Sequence, residues 1–392
     1  MNYDFDKVID RRGTCSEKWS VLDNELPMWI ADMDFQTAPE VIAALERRVQ
    51  HGIFGYSGIP DAWYDAYISW WKRRHDFEIE RPWLIFCTGI VPAISSMVRK
   101  LTTPAEKVLI QTPVFNIFFN SILNNGRQVL ESPLVLRDGQ YEMDFDRLED
   151  NLSDPQTSLM ILCNPQNPGG RLWTKEELIR VANLCAKYGV RVISDEIHCD
   201  IVTPGEHYVP FASVSDTARD ISVTCVSASK AFNMAGLQSA AVFAANPLLR
   251  HQVWRALNTD EVAEPNAFAV TATVAAFNEG EAWLNALNDY VESNKQYAVS
   301  LMKSILPRIH PICGPATYLL WLDVRDLTES SREFADFLRN EVGLILSEGE
   351  IYGKAGQGFL RMNLACPASV MKDGLARLKT GTELYVSKHH TS

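Results

Sequence analysis

Several absences in the sequence exclude whole classes of protein. No apolar run approaches the ~20 residues that would span a bilayer, and the charged start MNYDFDKVIDRRG lacks the apolar centre of a signal peptide. Positive charge is in short supply, because the formal net charge of the 392 residues is −12, whereas nucleic acids and anionic membranes bind basic surfaces. We therefore predict a cytoplasmic protein that binds neither nucleic acid nor membrane.

Paired cysteine motifs and repeats are also missing. The eight cysteines show no C-x-x-C spacing and most lie in apolar runs, which predicts reduced, buried thiols and no metal site. The sequence contains neither internal repeats nor low-complexity segments, and its composition is that of an ordinary globular protein. Because a single core stops growing beyond ~250–300 residues, two domains are expected.

Residues 158–245 alternate between apolar strands and helical stretches. SLMILCN, VRVIS, ISVTCVSAS and SAAVFAAN are short apolar runs, which are typical of buried strands. Between the first two lies the helical pattern TKEELIRVANLCAKYG, where Thr174 and Glu177 form a capping box and Gly189 ends the helix. This rhythm predicts a parallel sheet with right-handed crossovers.

Polar residues follow three of these strands. Asn164 and Asn167 follow the first strand, Asp195 the second and Lys230 the third. Because parallel sheets bind ligands at the carboxyl ends of their strands, we expect an amide, a carboxylate and an amine to meet at one edge. Lys230 also sits among apolar and small residues in VSASKAFNMAG, and a neutral lysine amine can form a Schiff base with an aldehyde.

An earlier segment is expected at the same edge. LIFCTGIVPAISSMVRKL is interpreted as a strand, a Thr88–Gly89 turn and a helix with Pro92 near its first turn. The free N–H groups and partial positive charge at a helix N-terminus suit a phosphate. A plain helix start is the alternative.

The C-terminal part has a different texture. ATYLLWLDV and GFLRMNLAC resemble strands of a smaller α/β layer, flanked by helical patterns near 281–305 and 331–341. Strict alternation places Phe359, Arg361 and Asn363 on one strand face. An arginine inside an apolar strand requires an anion, which is either a structural carboxylate or the carboxylate of a substrate.

Four polar features are thus expected at one edge: an amine, a carboxylate, an amide and a helix N-terminus. They match the aldehyde, pyridine nitrogen, phenolic oxygen and phosphate of pyridoxal 5′-phosphate (PLP).

The motifs NPQNPGG, SDEIHCD and SASKAFNMAGLQ, in that order and spacing, resemble the aminotransferase-like fold-type I PLP enzymes over nearly the whole chain. MWIADMDF, HGIFGYSG, VISDEIHCD and ATYLLWLD resemble the cystathionine β-lyase, or C–S lyase, branch. That branch includes bacterial lyases that also modulate maltose gene regulation. The resemblance implies an α/β fold with a mostly parallel central sheet in a large PLP-binding domain, 46–280, and a smaller α/β C-terminal domain, 281–392. Residues 1–45 would form an N-terminal arm and part of the small domain.

The resemblance also implies roles for the cofactor-binding residues. Lys230 would be the Schiff-base lysine and proton shuttle, Asp195 would pair with the pyridinium nitrogen, and Asn167 would hydrogen-bond the ring oxygen. The phosphate would bind backbone N–H groups at the helix start, at Gly89, Ile90 and Val91. The hydroxyl groups of Ser227 and Ser229 would bind it as well.

Substrate and subunit contacts are implied in the same way. Arg361 would bind the substrate α-carboxylate, helped by backbone near Ala31 and by Asn167. Phe115 matches the ring that stacks on the cofactor, although a lone phenylalanine is more often a core residue. Tyr56 would reach the site of the neighbouring subunit, which implies a homodimer with shared sites.

Two positions depart from the wider family pattern. Gln238 stands where many aminotransferases have a phosphate-binding arginine, so phosphate binding should depend more on the helix N-terminus and hydroxyls. His198 stands where many relatives have a tyrosine, and it is either a partner of Asp195 or a packed core histidine.

The predicted function is β-elimination from L-cystathionine and related sulfur amino acids such as cysteine, giving a thiol, pyruvate and ammonia. An aminotransferase on the same scaffold is the alternative, since fold does not decide between them. A regulatory role through binding of a protein partner is a further hypothesis.

Overall fold

The computed structural model describes residues 3–389. The strands in these residues are β1 (Leu26–Pro27), β2 (Leu84–Cys87), β3 (Lys107–Ile110), β4 (Gln128–Glu131), β5 (Val135–Arg137), β6 (Gln140–Glu142), β7 (Thr157–Cys163), β8 (Arg191–Asp195), β9 (Ser222–Val226), β10 (Ala240–Phe243), β11 (His310–Ile312), β12 (Leu319–Asp323), β13 (Leu344–Ile345), β14 (Ser347–Glu348) and β15 (Phe359–Asn363).

The helices are α1 (Pro39–His51), α2 (Asp61–His75), α3 (Ile90–Leu101), α4 (Ile117–Leu123), α5 (Phe145–Ser153), α6 (Lys175–Lys187), α7 (Asp216–Ile221), α8 (Ala228–Ala231), α9 (Pro247–Thr259), α10 (Ala269–Glu279), α11 (Glu281–Ile305), α12 (Ser331–Val342) and α13 (Ala368–His389).

A seven-stranded sheet forms the centre of the larger part, in the order β2-β10-β9-β8-β7-β3-β4. Strands β9, β8, β7, β3 and β4 pair in parallel, which confirms the predicted mostly parallel sheet. The strand in SAAVFAAN, β10, differs because it runs antiparallel to both of its neighbours, β9 and β2. The link from β9 to β10 contains only the four-residue α8 and a short 3₁₀ turn. This link has no full helix for a crossover, so β10 returns in the opposite direction.

Both faces of this sheet are covered, because its strands are apolar on both sides. In β7, Ile161 packs in a core with helices α3 and α9, whereas the adjacent Met160 packs in a second core with α5 and α6. The predicted capping box of α6 is present, with both Thr174–Glu177 hydrogen bonds formed. The arrangement leaves the carboxyl ends of β7, β8 and β9 as an open edge.

The smaller layer is an antiparallel sheet in the order β11-β12-β15-β14, with α11, α12 and α13 beside it. The N-terminal segment joins this layer, because β1 pairs in parallel with β13. Leu26 and Met28 share a core with Leu344 and Leu360. The α/β fold with a large and a smaller layer is therefore confirmed.

Six of the eight cysteines are buried, as expected, and all eight are free thiols. Cys15 and Cys313 differ from the expectation because they are exposed. Within residues 3–389, none of the helices combines the length and the apolar character needed to cross a membrane.

Candidate active site

A cavity of about 210 Å³ opens where β7, β8 and β9 end. It gathers most of the residues that the sequence singled out, from six separate segments of the chain. Those that line it are Ala31, Gly89, Ile90, Val91, Phe115, Asn167, Asp195, His198, Ser227, Ser229, Lys230 and Gln238. Arg361 contacts one of these residues from the small layer, whereas Tyr56 lies elsewhere.

Lys230 follows β9 in the short helix α8, which Ser227 caps through a hydrogen bond from Ser229 N–H. Its Nζ donates to the carbonyl oxygen of Ala31 at 2.6 Å. Desolvation in the cavity and then the Arg361 charge lower the pKa of Lys230 to about 8, against the opposing effect of Asp32 and Asp195. A neutral amine is therefore accessible near physiological pH.

Asp195 ends β8 and is only 4% exposed. Its Oδ1 accepts a hydrogen bond from Ile197 N–H at 3.2 Å. Burial raises the pKa of Asp195 to about 7, opposed by that hydrogen bond and by Lys230. A cation bound beside this carboxylate would restore its ionised form, because an opposite charge at close range offsets desolvation.

Arg361 reaches the site from β15 in the small layer. Its Nη1 donates to Asn167 Oδ1 at 3.3 Å and its Nη2 to Trp29 O at 2.9 Å, while Nε is buried without a partner. Within the described part of the chain, no carboxylate forms an ion pair with Arg361. The structural salt bridge is thus disfavoured, and the guanidinium is held in place with donor capacity left for an anion.

His198 is buried in the cavity wall, with its ring 6.0 Å from that of Tyr318. Burial, followed by the charges of Lys230 and Arg361, lowers the pKa of His198 to about 3, so the ring is neutral. Its Nδ1 has no hydrogen-bond partner among residues 3–389. The structure therefore shows no bond from His198 to Asp195, and it leaves this nitrogen available to a ligand.

The start of α3 and the short helix α8 form a further part of the cavity wall. Because α3 begins at Ile90, the N–H groups of its first turn have no acceptor within the helix. Ser227 donates to Ser239 O at 2.7 Å while it caps α8, which commits its hydroxyl. Ser229 Oγ lies 2.9 Å from Ser227 Oγ and lines the same cavity.

The two predicted aromatic residues, Phe115 and Tyr56, differ in where they lie. Phe115 lines the cavity half-buried, with its ring 5.7 Å from that of Phe118. Tyr56 lies in the segment between α1 and α2 and is fully exposed, so it does not contribute to the cavity of its own chain.

The sequence did not indicate Tyr318 or Asn363 as site residues. The Tyr318 hydroxyl donates at 3.0 Å to the same Ala31 carbonyl that Lys230 contacts. Asn363 Nδ2 donates to Ile30 O and Asp32 O, at 2.7 and 2.6 Å. Tyr318 lies inside the motif ATYLLWLD and Asn363 shares a strand face with Arg361, and these were the only available signals.

The residues present fit PLP. One cavity is lined by a buried carboxylate, an imidazole nitrogen without a partner, a lysine amine and a helix N-terminus. In that order, these groups complement the pyridine nitrogen, the ring oxygen, the aldehyde and the phosphate of PLP. We expect Asp195, Asn167 or His198, Lys230 and the start of α3 to hold those four groups in that order.

Comparison with known proteins agrees with this geometry. Residues 26–378 match the family "Aminotransferase class I and II". The chain is 40% identical to cystathionine beta-lyase PatB of Bacillus subtilis and 35% identical to protein MalY of Escherichia coli, over 96% of this chain and 98% of each relative. The solved structure of cystalysin from Treponema denticola, which contains PLP, superposes with a TM-score of 0.95 at 31% identity, over 98% of this chain and 99% of that one.

The chain therefore belongs to the aminotransferase class I and II family of fold-type I PLP enzymes, in its cystathionine β-lyase and C–S lyase branch.

Proposed function

We propose that this protein is a PLP-dependent carbon–sulfur β-lyase that acts on L-cystathionine and related sulfur amino acids. With one water per turnover, cystathionine would give homocysteine, pyruvate and ammonia. The observation that carries the proposal is the pairing of Lys230, an amine with a pKa of about 8, with Arg361, whose guanidinium has an unused donor. The 40% identity to cystathionine beta-lyase PatB supports the same reaction class.

Arg361 would hold the α-carboxylate of the substrate. Asn167 Oδ1 and Trp29 O fix two guanidinium nitrogens, so the side chain is oriented before substrate arrives. Fixing the carboxylate directs the Cα–H bond of the substrate towards Lys230, which would accept the proton.

When bound, PLP supplies an electron sink for the pair left on Cα. Lys230 would then carry the proton taken from Cα and could deliver it to the departing sulfur. His198, which is neutral, would add no second positive charge beside this amine. A thiolate at Cβ is a good leaving group, so a sulfur substrate favours loss of the thiol.

The test is incubation of the holoenzyme with L-cystathionine and no oxo-acid acceptor. Homocysteine, pyruvate and ammonia should form in equal amounts over many turnovers, and the Lys230→Ala protein should form none. The aminotransferase alternative is correct instead if turnover stops after one cycle and resumes on addition of 2-oxoglutarate.

We further propose that the enzyme works as a homodimer with shared sites. The last turn of α1 and the segment after it expose Val49, Ile53, Phe54 and Tyr56, with Ile53 68% exposed and Tyr56 fully exposed. Arg48 holds this segment by donating to Ile53 O at 2.7 Å and packing over the Phe54 ring. An apolar, pre-shaped segment of this kind suits contact with a second copy of the chain.

We also propose the division into an N-terminal arm with part of the small domain (1–45), a large domain (46–280) and a small domain (281–392). The pairing of β1 with β13 supports it, because it attaches the arm to the small layer. Limited proteolysis tests the division at 280–281, the junction of α10 and α11, because the boundary at 45–46 falls inside α1. A regulatory protein partner is tested by a pull-down with the holoenzyme as bait.

A further inference from the structure

Ala31, which lines the cavity beside Lys230, belongs to a short irregular segment, residues 29–34, whose carbonyl groups accept hydrogen bonds from other parts of the chain. Ala31 O accepts from Lys230 Nζ and Tyr318 OH. Trp29 O accepts from Arg361, and Asp32 O from Asn363. The position of Asp32 relative to the Lys230 nitrogen is therefore set by backbone contacts with both layers of the protein.

Behind this segment lies the N-terminal strap, defined as residues 4–20. Arg11 grips Asp32 with both nitrogens, Nη1 to Oδ1 at 3.1 Å and Nη2 to Oδ2 at 2.8 Å, and it also contacts Asp34 Oδ1 at 2.8 Å. Lys18, only 1% exposed, donates to Asp34 Oδ2 at 2.8 Å. Trp19 Nε1 donates to Asp34 Oδ1 at 2.7 Å.

The two carboxylates of this cluster differ in their relation to the cavity. Asp34 is buried and fully engaged by Lys18, Arg11 and Trp19. Asp32 is next to Ala31, and its charge acts on Lys230 and on Tyr318, in both cases raising the pKa of the cavity group. Arg11 is the nearer of the two strap cations to Asp32, at 2.8 Å, whereas Lys18 Nζ lies 3.7 Å from Asp32 Oδ1 and 2.8 Å from Asp34 Oδ2.

We propose that the N-terminal strap tunes the proton affinity of the Lys230 nitrogen, with Arg11 acting through Asp32 as a positioning residue. The inference rests on the role proposed above for Lys230. The other charged or titratable groups around this amine are Arg361 on β15, Asp195 at the end of β8, His198 in the loop after it, and Tyr318 before β12. None of these groups belongs to the strap. A change in Arg11 therefore acts on Lys230 mainly by changing how far the charge of Asp32 is offset.

The proposal makes opposite predictions for the two members of the pair. Arg11→Gln removes a positive charge and leaves Asp32 with only the longer contact to Lys18, so protonation of the Lys230 nitrogen becomes more favourable. Asp32→Asn removes a negative charge, so protonation becomes less favourable. A merely structural pair would shift both variants in the same direction, because either change breaks the same contact.

The experiment is a pH titration of the visible absorbance of the holoenzyme, which follows the protonation of the nitrogen that holds the cofactor. The midpoint should rise in Arg11→Gln and fall in Asp32→Asn, each by about 0.5 pH unit or more. The double variant should return close to the wild-type midpoint. Arg11→Lys, which keeps the charge but loses the two-pronged contact, should keep the midpoint while the melting temperature falls.

Arg12→Gln is the matched control. Arg12 is adjacent in the strap but donates to Asp23 O and Glu25 O, so its midpoint should equal that of the wild type. Midpoints that move together in Arg11→Gln and Asp32→Asn, or do not move, overturn the proposal. If Arg11→Gln does not fold, the other two variants still test the proposal: the midpoint should fall in Asp32→Asn and stay unchanged in Arg11→Lys. Failure of the proposed function is separate, since it would appear as a visible, borohydride-reducible band that persists in Lys230→Ala.

Discussion

Two adjacent carboxyl groups, Asp195 at the end of β8 and Glu196 just after it, have different surroundings. Asp195 lines the cavity, whereas Glu196 is enclosed among loops behind it. Glu196 Oε1 accepts from Ser194 Oγ at 2.7 Å and from Phe211 N–H at 3.0 Å, and Oε2 accepts from the Tyr208 hydroxyl. Burial raises the pKa of Glu196 to about 8, against the effect of these hydrogen bonds. Behind the cavity, burial thus favours the neutral form of the Glu196 carboxyl, whereas the hydrogen bonds donated to it favour the ionised form.

Replacing Glu196 with Gln should weaken the pH dependence of stability. Because the pKa of Glu196 is higher in the folded than in the unfolded chain, its stabilising proton is present at low pH and is lost as the pH rises through about 8. Gln does not titrate, so the free energy of unfolding should fall less between pH 6 and pH 9 than in the wild type. Urea titrations at the two pH values measure this.

The control is Glu149→Gln at an exposed position, where ion pairing with Lys187 lowers the pKa of the carboxyl. That group titrates below pH 6, so its replacement should leave the pH 6 to 9 difference unchanged. An unaltered difference in Glu196→Gln would show that the carboxyl is ionised throughout.

Arg361→Lys should lower kcat/KM for cystathionine by about 10- to 100-fold, since a charged hydrogen bond contributes ~1.5–3 kcal/mol. Lysine keeps the charge but cannot bind a carboxylate with two parallel N–H groups while contacting Asn167. Steady-state kinetics provide the measurement, and cofactor absorbance should be retained. Arg325→Lys, at an exposed arginine that pairs with the buried Asp323, is the control and should not alter kinetics. Equal kinetics in the two variants would remove Arg361 from substrate binding.

Residue types and their order predicted the centre of the site but not its walls. Lys230, Asp195 and Asn167 follow strands of one parallel sheet, so their convergence could be deduced from the sequence alone. The contacts of Asp32 with Arg11 and of Ala31 with Tyr318 lie in irregular segments far apart in sequence. No periodicity indicates such contacts, and they become visible only when the chain is folded.

At the scale of elements, the start of α3 is the expected phosphate site. Ile90→Pro should weaken PLP binding about tenfold, because it removes one N–H donor to a charged group, which contributes ~1.5 kcal/mol or more. Proline is tolerated at the first helical position, and the extended Gly89 before it is compatible. Equilibrium dialysis against PLP gives the affinity.

The matched control is Ile90→Val, which trims the buried side chain but keeps the N–H group. If the two variants bind PLP equally, the N–H of Ile90 makes no contact with the phosphate. A loss confined to the proline variant supports the contact.

The sequence correctly predicted elements that depend on a few neighbouring residues. It did not predict the direction of a strand, which depends on the length of helix that connects it to the strand before. The capping box of α6 and the apolar strands β7, β8 and β9 follow from patterns a few residues long. The direction of β10 depends on how little helix separates it from β9. The pattern ISVTCVSAS-KAFNMAGLQ-SAAVFAAN contains no signal that distinguishes a short helical turn from a crossover.

At the scale of the whole molecule, mixing two inactive variants tests the shared site. Tyr56→Ala and Lys230→Ala proteins, unfolded together and refolded, should regain up to about a quarter of wild-type activity, because half of the dimers are mixed and each has one intact site. The cystathionine assay measures recovery. Each variant refolded alone is the control. If mixed dimers, isolated with two affinity tags, remain inactive, each site is formed within one chain.

Two exposed thiols allow the folded protein to be labelled at defined positions. Of eight free cysteines only Cys15 and Cys313 are exposed, and Cys15 lies within the strap that carries Arg11. A mild thiol reagent should therefore label two groups in the native state and eight in urea. A fluorescent dye on Cys15 in a Cys313→Ser background would record in real time whether the strap moves when PLP enters. Cys15 is thus a labelling site within the N-terminal strap, the segment whose contact with Asp32 is proposed to tune the protonation of Lys230.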